Sequence, residues 1–361
     1  MKQISFNAPY VAIFAIVFLV IAPVTAWEIT PDGDYNIIID MTDYESIVPV
    51  EITSLGSMDP FGTQLVFVLG ALDILTSATF GPADVDMIRS LYPKFDDSFL
   101  IYFGQGTAVE SMLTTYPDVI IGRYGRDDSI NTPVRDVGVP VVVDYVESPE
   151  LLIESANMLG AMLGKEAEAK AFEDYYRESI ANIKEQTDLV PEDERIVVYM
   201  TKSEPLNTLG HDQYQTEMAA IAGATSASIE MTGGDVSIDL EQLHLWDPDA
   251  IVLAPYCTAS IEDILADEQW QDLRAVQNDA VYRLPKYLAS WDLPVPESIL
   301  GMIWLAETLY PDYVDIDIEE EIVTFYDKFY GLDIDEETID YILTDTTRVK
   351  LAGEQSPRAN A

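Results

Sequence analysis

Bases are scarce in this chain, and two of them stand three positions apart in the stretch GRYGRDD, Arg123 and Arg126. Each offers a planar fork of N–H donors that grips a carboxylate or a phosphate-like anion. Pairing with Asp127, Asp128 or Asp136 is their competing use. Loop segments elsewhere carry side chains suited to a bulky, partly apolar ligand. These are Met58, Phe61, Phe103, Gln105 and Tyr124 in the first half of the chain, and Asn207, His211, Tyr214, Tyr256, Tyr287 and Trp291 in the second. Aromatic walls with a few polar groups hold and orient a ligand without reacting with it. Core packing is the alternative role for every aromatic here, above all for Phe61 and Phe103, whereas Tyr287 and Trp291 lie in a proline-bounded loop.

Covalent chemistry has less to work with. No serine-centred elbow, phosphate loop or zinc-binding helix occurs. With only His211 and His244, a multi-histidine metal site is excluded, although His211 or a tyrosine as axial ligand to haem or cobalt stays open. Cys257 is the single cysteine, so there is no disulfide framework. A hydrolase with paired carboxylates is a competing class. Among 64 acids, however, two carboxylates meet by chance too easily for proximity to count.

The same acids outnumber 19 bases, for a formal net charge of −45. That excludes a nucleic-acid partner, which requires clustered Lys and Arg. It reads as a solvated surface around a real core, since 48% of residues are hydrophobic. At the N-terminus Lys2 precedes an apolar stretch from Tyr10 to Val24, and Val24-Thr25-Ala26 supplies a small-x-small cleavage pattern. Residues 1–26 are therefore expected to be a secretory signal peptide. An uncleaved anchor is the alternative, although the stretch is short of the ~20 apolar residues a spanning helix prefers. The mature protein is expected outside the cytoplasmic membrane.

The elements that must position these residues come in two series. AVESMLTTYPDVII (108–121) is echoed by DLEQLHLWDPDAIV (239–252), each with a Glu (Glu110, Glu241) seven residues before a Pro-Asp pair and an apolar β-branched run after it. The pattern predicts a helix, a turn and a buried strand, with the Glu near the helix start, where a carboxylate favours the positive end. YNIIID, VPVEITSL, FLIYFG, VPVVVDYV and RIVVYM read as further strands, and LVFVLGALDIL as a helix. From Ser148 to Asp188 apolar residues recur at helical spacing, one or two long helices with a break near Gly164. The expected fold is α/β, with two similar lobes built on parallel sheets and a ligand cleft between them. Its expected divisions are an N-terminal lobe at 27–147, a linker helix at 148–188, a C-terminal lobe with terminal helices at 189–345 and a polar tail at 346–361.

In order and spacing over most of the mature chain, these segments resemble the helix-linked solute-binding proteins of ABC importers for iron–siderophore, haem and corrinoid (vitamin B12) complexes. VPVEITSLGSMDPFGTQLVFVLGALDIL is similar to the family's first strand and helix, ANMLGAMLGKEAEAKAFEDYY to its linker helix, and the two echoes to its paired Glu-led helices. The resemblance implies a monomer with no enzymatic step and no resident cofactor. It would capture a metal chelate of iron or cobalt, an iron–siderophore first, and deliver it to a permease with its ATPase. It also implies rim carboxylates that pair with permease arginines, for which Asp127 or Asp128 and Glu217 fit by position. A surface sensor using the same fold is the remaining alternative. The loop GSMDPFGTQ departs from the family's usual Ser/Pro run, and no Cys follows the signal to carry a lipid.

Overall fold

The computed structural model describes residues 27–80, 85–96, 99–102, 111 and 114–344. The expected signal peptide, Phe103, Gln105, Glu110 and the polar tail lie outside these residues. The chain opens on an antiparallel meander of β1 (Glu28–Asp32), β2 (Tyr35–Ile39) and β3 (Glu45–Pro49). Its alternation turns Ile38, Ser46 and Val48 inward and leaves Ile47 outside.

A five-stranded parallel sheet follows, made of β4 (Leu55–Ser57), β5 (Leu75–Thr79), β6 (Leu100–Tyr102), β7 (Val119–Gly122) and β8 (Val141–Val143) in the spatial order β6-β5-β4-β7-β8. Helices α1 (Pro60–Val68), α2 (Val85–Leu91) and α3 (Thr132–Asp136) lie between its strands in sequence. The reading of VPVEITSL as one strand is corrected here, because Val50 to Ser54 leave the meander and β4 starts a different sheet. LVFVLGALDIL divides as well. Its helix starts at Pro60, where Asp59 accepts the Gly62 N–H at 2.8 Å, and its end feeds β5. A capping Asp followed by Pro in the first turn is a strong helix start.

The region from Ser148 is a pair of antiparallel helices, α4 (Pro149–Leu163) and α5 (Glu166–Thr187). Ser148 caps the first, and Gly164 ends it in the left-handed conformation (φ 66°). Close crossing explains Gly160, where an added Cβ would sit 2.6 Å from Ala169 Cβ. The long helix α5 buries Ala169, Phe172, Tyr176 and Ile183 and contacts helices of both lobes.

The second lobe repeats the plan with β9 (Val197–Met200), β11 (Thr225–Ser226), β13 (Ala250–Leu253) and β14 (Val281–Arg283), parallel in the order β11-β9-β13-β14. A two-residue pair, β10 (Asn207–Thr208) with β12 (Val236–Ser237), laces its loops. Its helices are α6 (Tyr214–Ile221), α7 (Leu240–Trp246), α8 (Ile261–Ala266) and α9 (Arg274–Gln277). Three more, α10 (Ser298–Leu309), α11 (Ile318–Tyr330) and α12 (Glu336–Thr344), complete the described chain. Of these α11 returns to the first lobe. Tyr92 O–H donates to the Tyr330 carbonyl at 2.9 Å, and Tyr330 O–H donates to Gln64 Oε1 at 3.2 Å. The fold is thus α/β with two parallel-sheet lobes joined by a long helix, as the sequence predicts.

Candidate functional site

Ligands of parallel sheets sit beyond the carboxyl ends of the strands. In the first lobe those ends deliver Asp59 after β4, Arg123 and Tyr124 after β7, and Asp144, Tyr145 and Glu147 after β8. In the second they deliver Lys202 after β9 and Tyr256 after β13.

Asp59 is only 3% exposed. Burial pushes its carboxyl up to about 6, even though the Gly62 N–H and Arg123, with Nε 3.7 Å from Oδ1, both favour the charged form. Asp144 is equally buried, and its Oδ2 has no hydrogen-bond partner among the described residues. Burial, then the neighbouring charges of Asp59 and Asp40, push it well above the ordinary carboxylate range. Only a glycine fits at position 62 between them, since a Cβ there would stand 2.5 Å from Ile121 Cγ2 and 3.1 Å from Asp144 Oδ2. Beside them Tyr124 stacks on Tyr145 with centroids 4.1 Å apart.

Glu147 joins the two sides. Its carboxyl is raised by burial, lowered by Lys202 and raised again by Asp212, both from the second lobe. There Lys202 Nζ donates to the Gly234 carbonyl, and Asp212 accepts the Gly233 N–H at 2.8 Å. Tyr256, 38% exposed, donates its hydroxyl to Asp292 at 2.7 Å. Burial lifts Asp292 to about 6, against hydrogen bonds from Tyr256 and Gln215 and the charge of Lys202. The strand ends therefore bring together a basic group from each lobe, Arg123 and Lys202, exposed tyrosines, and carboxyls whose pKa values burial raises.

Of the residues singled out in the sequence, Arg123, Tyr124 and Tyr256 are brought to this cleft. Arg123 pairs with Asp59, not with Asp127, Asp128 or Asp136. Arg126 makes no ion pair among the described residues and is half-buried on the same loop. His211 is exposed, with Nδ1 2.8 Å from the Met231 carbonyl, and Asn207 is bound to Asp235 and Ser237. Phe61 is half-buried against the core.

Four residues are corrected to core positions. Met58 packs with Ile120, Ile130 and Val141. Tyr214 is fully buried, its hydroxyl 2.9 Å from Tyr176 and 2.7 Å from Ser298. Trp291 is 0% exposed, and Tyr287 lies edge-on to Tyr326. The proline-bounded loop folds inward onto α10, so closely that a Cβ at Gly301 would stand 2.6 Å from the Trp291 carbonyl. Sequence reasoning missed Asp59, Asp144, Glu147, Lys202 and Asp292. In a chain with 64 acids a carboxylate carries no signal of its own, but the position of Lys202 just beyond RIVVYM could have marked it.

Asp127 and Asp128 are exposed, Asp127 sharing Arg135 with Asp40, and Glu217 is exposed in the first turn of α6.

Residues 101–288 match the sequence model described as "Periplasmic binding protein". The chain is 29% identical over 245 residues, 62% of its length and 69% of the relative's, to the molybdate-binding protein MolA of Haemophilus influenzae. It is 24% identical over 224 residues, 59% of its length and 71% of the relative's, to the Fe(3+) dicitrate-binding periplasmic protein FecB of Escherichia coli. A periplasmic solute-binding protein of Veillonella parvula superposes with a TM-score of 0.72 at 21% identity, covering 88% of this chain and 97% of that one.

Proposed function

The chain belongs to the periplasmic binding protein family, and from that premise we propose that its cleft captures a metal chelate whose outer atoms are anionic oxygens, an iron(III) chelate first. The family places it outside the cytoplasmic membrane, as a solute-binding protein of an ABC importer and not an enzyme. What carries the ligand reading is that the strand ends of each lobe deliver a cation, Arg123 in the first and Lys202 in the second, with Lys202 near enough to Glu147 of the first lobe to lower its carboxyl. One cation from each lobe suits a ligand that presents negative oxygens on two sides. The stacked Tyr124–Tyr145 pair offers a flat apolar surface for the body of the chelate.

The names of the two curated relatives support the same chemistry, since molybdate and ferric dicitrate are both anionic, oxygen-ligated metal species. Bare molybdate is a second reading, favoured by the likeness to MolA. Corrinoid and haem remain alternatives in the same cleft, as does sensing without transport.

Thermal-shift and calorimetric titration with ferric dicitrate, ferric hydroxamate and catecholate chelates, cobalamin, haem and molybdate separates these readings. A ligand at 100 times its dissociation constant should stabilise the protein by about 2.7 kcal/mol. Arg123→Ala and Lys202→Ala should each weaken binding by roughly tenfold or more, the worth of a charged hydrogen bond. If both variants bind the wild-type ligand unchanged, the anionic-chelate reading fails.

A further inference from the structure

A second cavity lies in the C-terminal lobe, formed by residues none of which belongs to the cleft. It is about 270 Å³ and is walled by Tyr282 of β14, Trp304 and Glu307 of α10, Pro311, Ile318 at the start of α11 and Leu343 near the end of α12. Tyr282 and Trp304 meet edge to face, with centroids 6.4 Å apart and planes at 84°. Trp304 is 3% exposed, so its ring is fixed by packing.

Thr308 adds a hydroxyl to this largely apolar wall, and Glu307 is its one ionisable carboxylate. Its carboxylate has no hydrogen-bond or ion-pair partner among the described residues. Burial, then the nearby charges of Asp317 and Glu319, push its carboxyl upward. Asp317 is already committed to capping α11 through the N–H groups of Glu319 and Glu320. A half-buried carboxylate with no cation beside it and two more acids close by is costly to keep ionised. A cation entering the cavity removes that cost.

We propose that this cavity binds a small organic ammonium ion, with its charge on Glu307 and its alkyl groups against the rings of Tyr282 and Trp304. A bare inorganic ion would have to exchange its hydration shell for one carboxylate and apolar walls, an unfavourable trade. An alkylated ammonium is weakly hydrated, presents methyl groups to aromatic faces, and gains from the ring quadrupoles as well as from the carboxylate.

The test uses the full protein with choline chloride and its neutral carbon isostere, 3,3-dimethylbutanol, at ionic strength balanced with sodium chloride. Saturation-transfer NMR and calorimetry read binding. Choline should bind about tenfold more tightly than the isostere, and Glu307→Gln should remove that preference. Glu45→Gln, an equal change of charge on the exposed meander strand β3 of the first lobe, should leave choline binding as it was, which separates the site from general attraction to an acidic protein. Equal binding of the two probes by the wild-type protein overturns the proposal, as does undiminished choline binding by a folded Glu307→Gln variant. So does the absence of saturation at millimolar choline.

Discussion

Arg123 and Asp59 form a pair in which the partners are unequally committed. The guanidinium is always charged, whereas burial holds the Asp59 carboxyl at about 6, and Asp292 across the cleft is also lifted to about 6. Between pH 7 and 5 both carboxyls take up protons. Because their folded pKa values lie above the unfolded value of 3.8, the ionised forms destabilise the fold, and this cost starts to shrink as the pH falls through about 6 and is gone only below 3.8. The same protons remove negative charge from the cleft. Affinity for an anionic chelate should therefore rise from pH 7 to 5, by about tenfold for each unit by which the bound anion raises these groups. Calorimetry across that range checks it, and Asp59→Asn should flatten the dependence. Affinity that falls with acidification would show that the ligand is bound as a cation. Nothing in the sequence marked these two acids, since burial and not residue type sets them apart.

Among the elements, the paired Pro-Asp turns have a physical explanation that their sequence only hinted at. In each copy the residue before the proline is left-handed, Tyr116 at φ 49° and Asp247 at φ 42°. The aspartate then ties down the entry to the first strand of its lobe's parallel sheet, β4 or β9. Asp118 Oδ2 accepts the N–H groups of Thr53 and Ser54 at 2.8 and 2.9 Å, and Asp249 Oδ2 accepts that of Val197 at 2.9 Å. Burial opposes the charge of Asp118, but those donors hold its carboxyl below the ordinary value. Asp118→Ala and Asp249→Ala should each cost roughly 1 kcal/mol, discounted for solvent at a partly exposed site, in urea unfolding. Ligand affinity should be unchanged, and a loss of binding without a loss of stability would move these residues into the site. The first-turn position of Glu241 was legible, but Asp239 caps that helix, accepting the Gln242 N–H at 2.8 Å. VIIG and AIVL were legible as strands because four consecutive apolar residues are buried on both faces. In the meander β2 was legible as YNIIID, but β1, the boundary between β3 and β4, and β5 were not, since β3 and β4 sit in one apolar run and LTSAT carries no alternation to separate it from α1. Trp291 and Tyr287 misled for a related reason. Proline-rich loops are ordinarily exposed, and only tertiary packing under α10 buries this one.

For the whole molecule, a net charge of −45 means that docking must be read from position and not from sign. Asp128 and Glu217 lie exposed on the two lobes, as permease contacts would need. Asp128→Lys with Glu217→Lys should reduce uptake in cells while leaving affinity in solution intact, and normal uptake would exclude them. The return of α11 to the first lobe bears on how the protein is made. Tyr330 reaches Gln64 across 266 residues of chain, and its ring lies 5.6 Å from that of Phe67, which stacks on Phe95. The aromatic core of the first lobe is thus finished by a helix that follows the whole second-lobe sheet in the chain. Without α11, Phe67 and its neighbours have water where Tyr330 belongs. The first lobe gains these stabilising contacts only when α11 packs onto it, so a chain clipped before Ile318 leaves its aromatic core uncovered, a clear target for quality-control proteases.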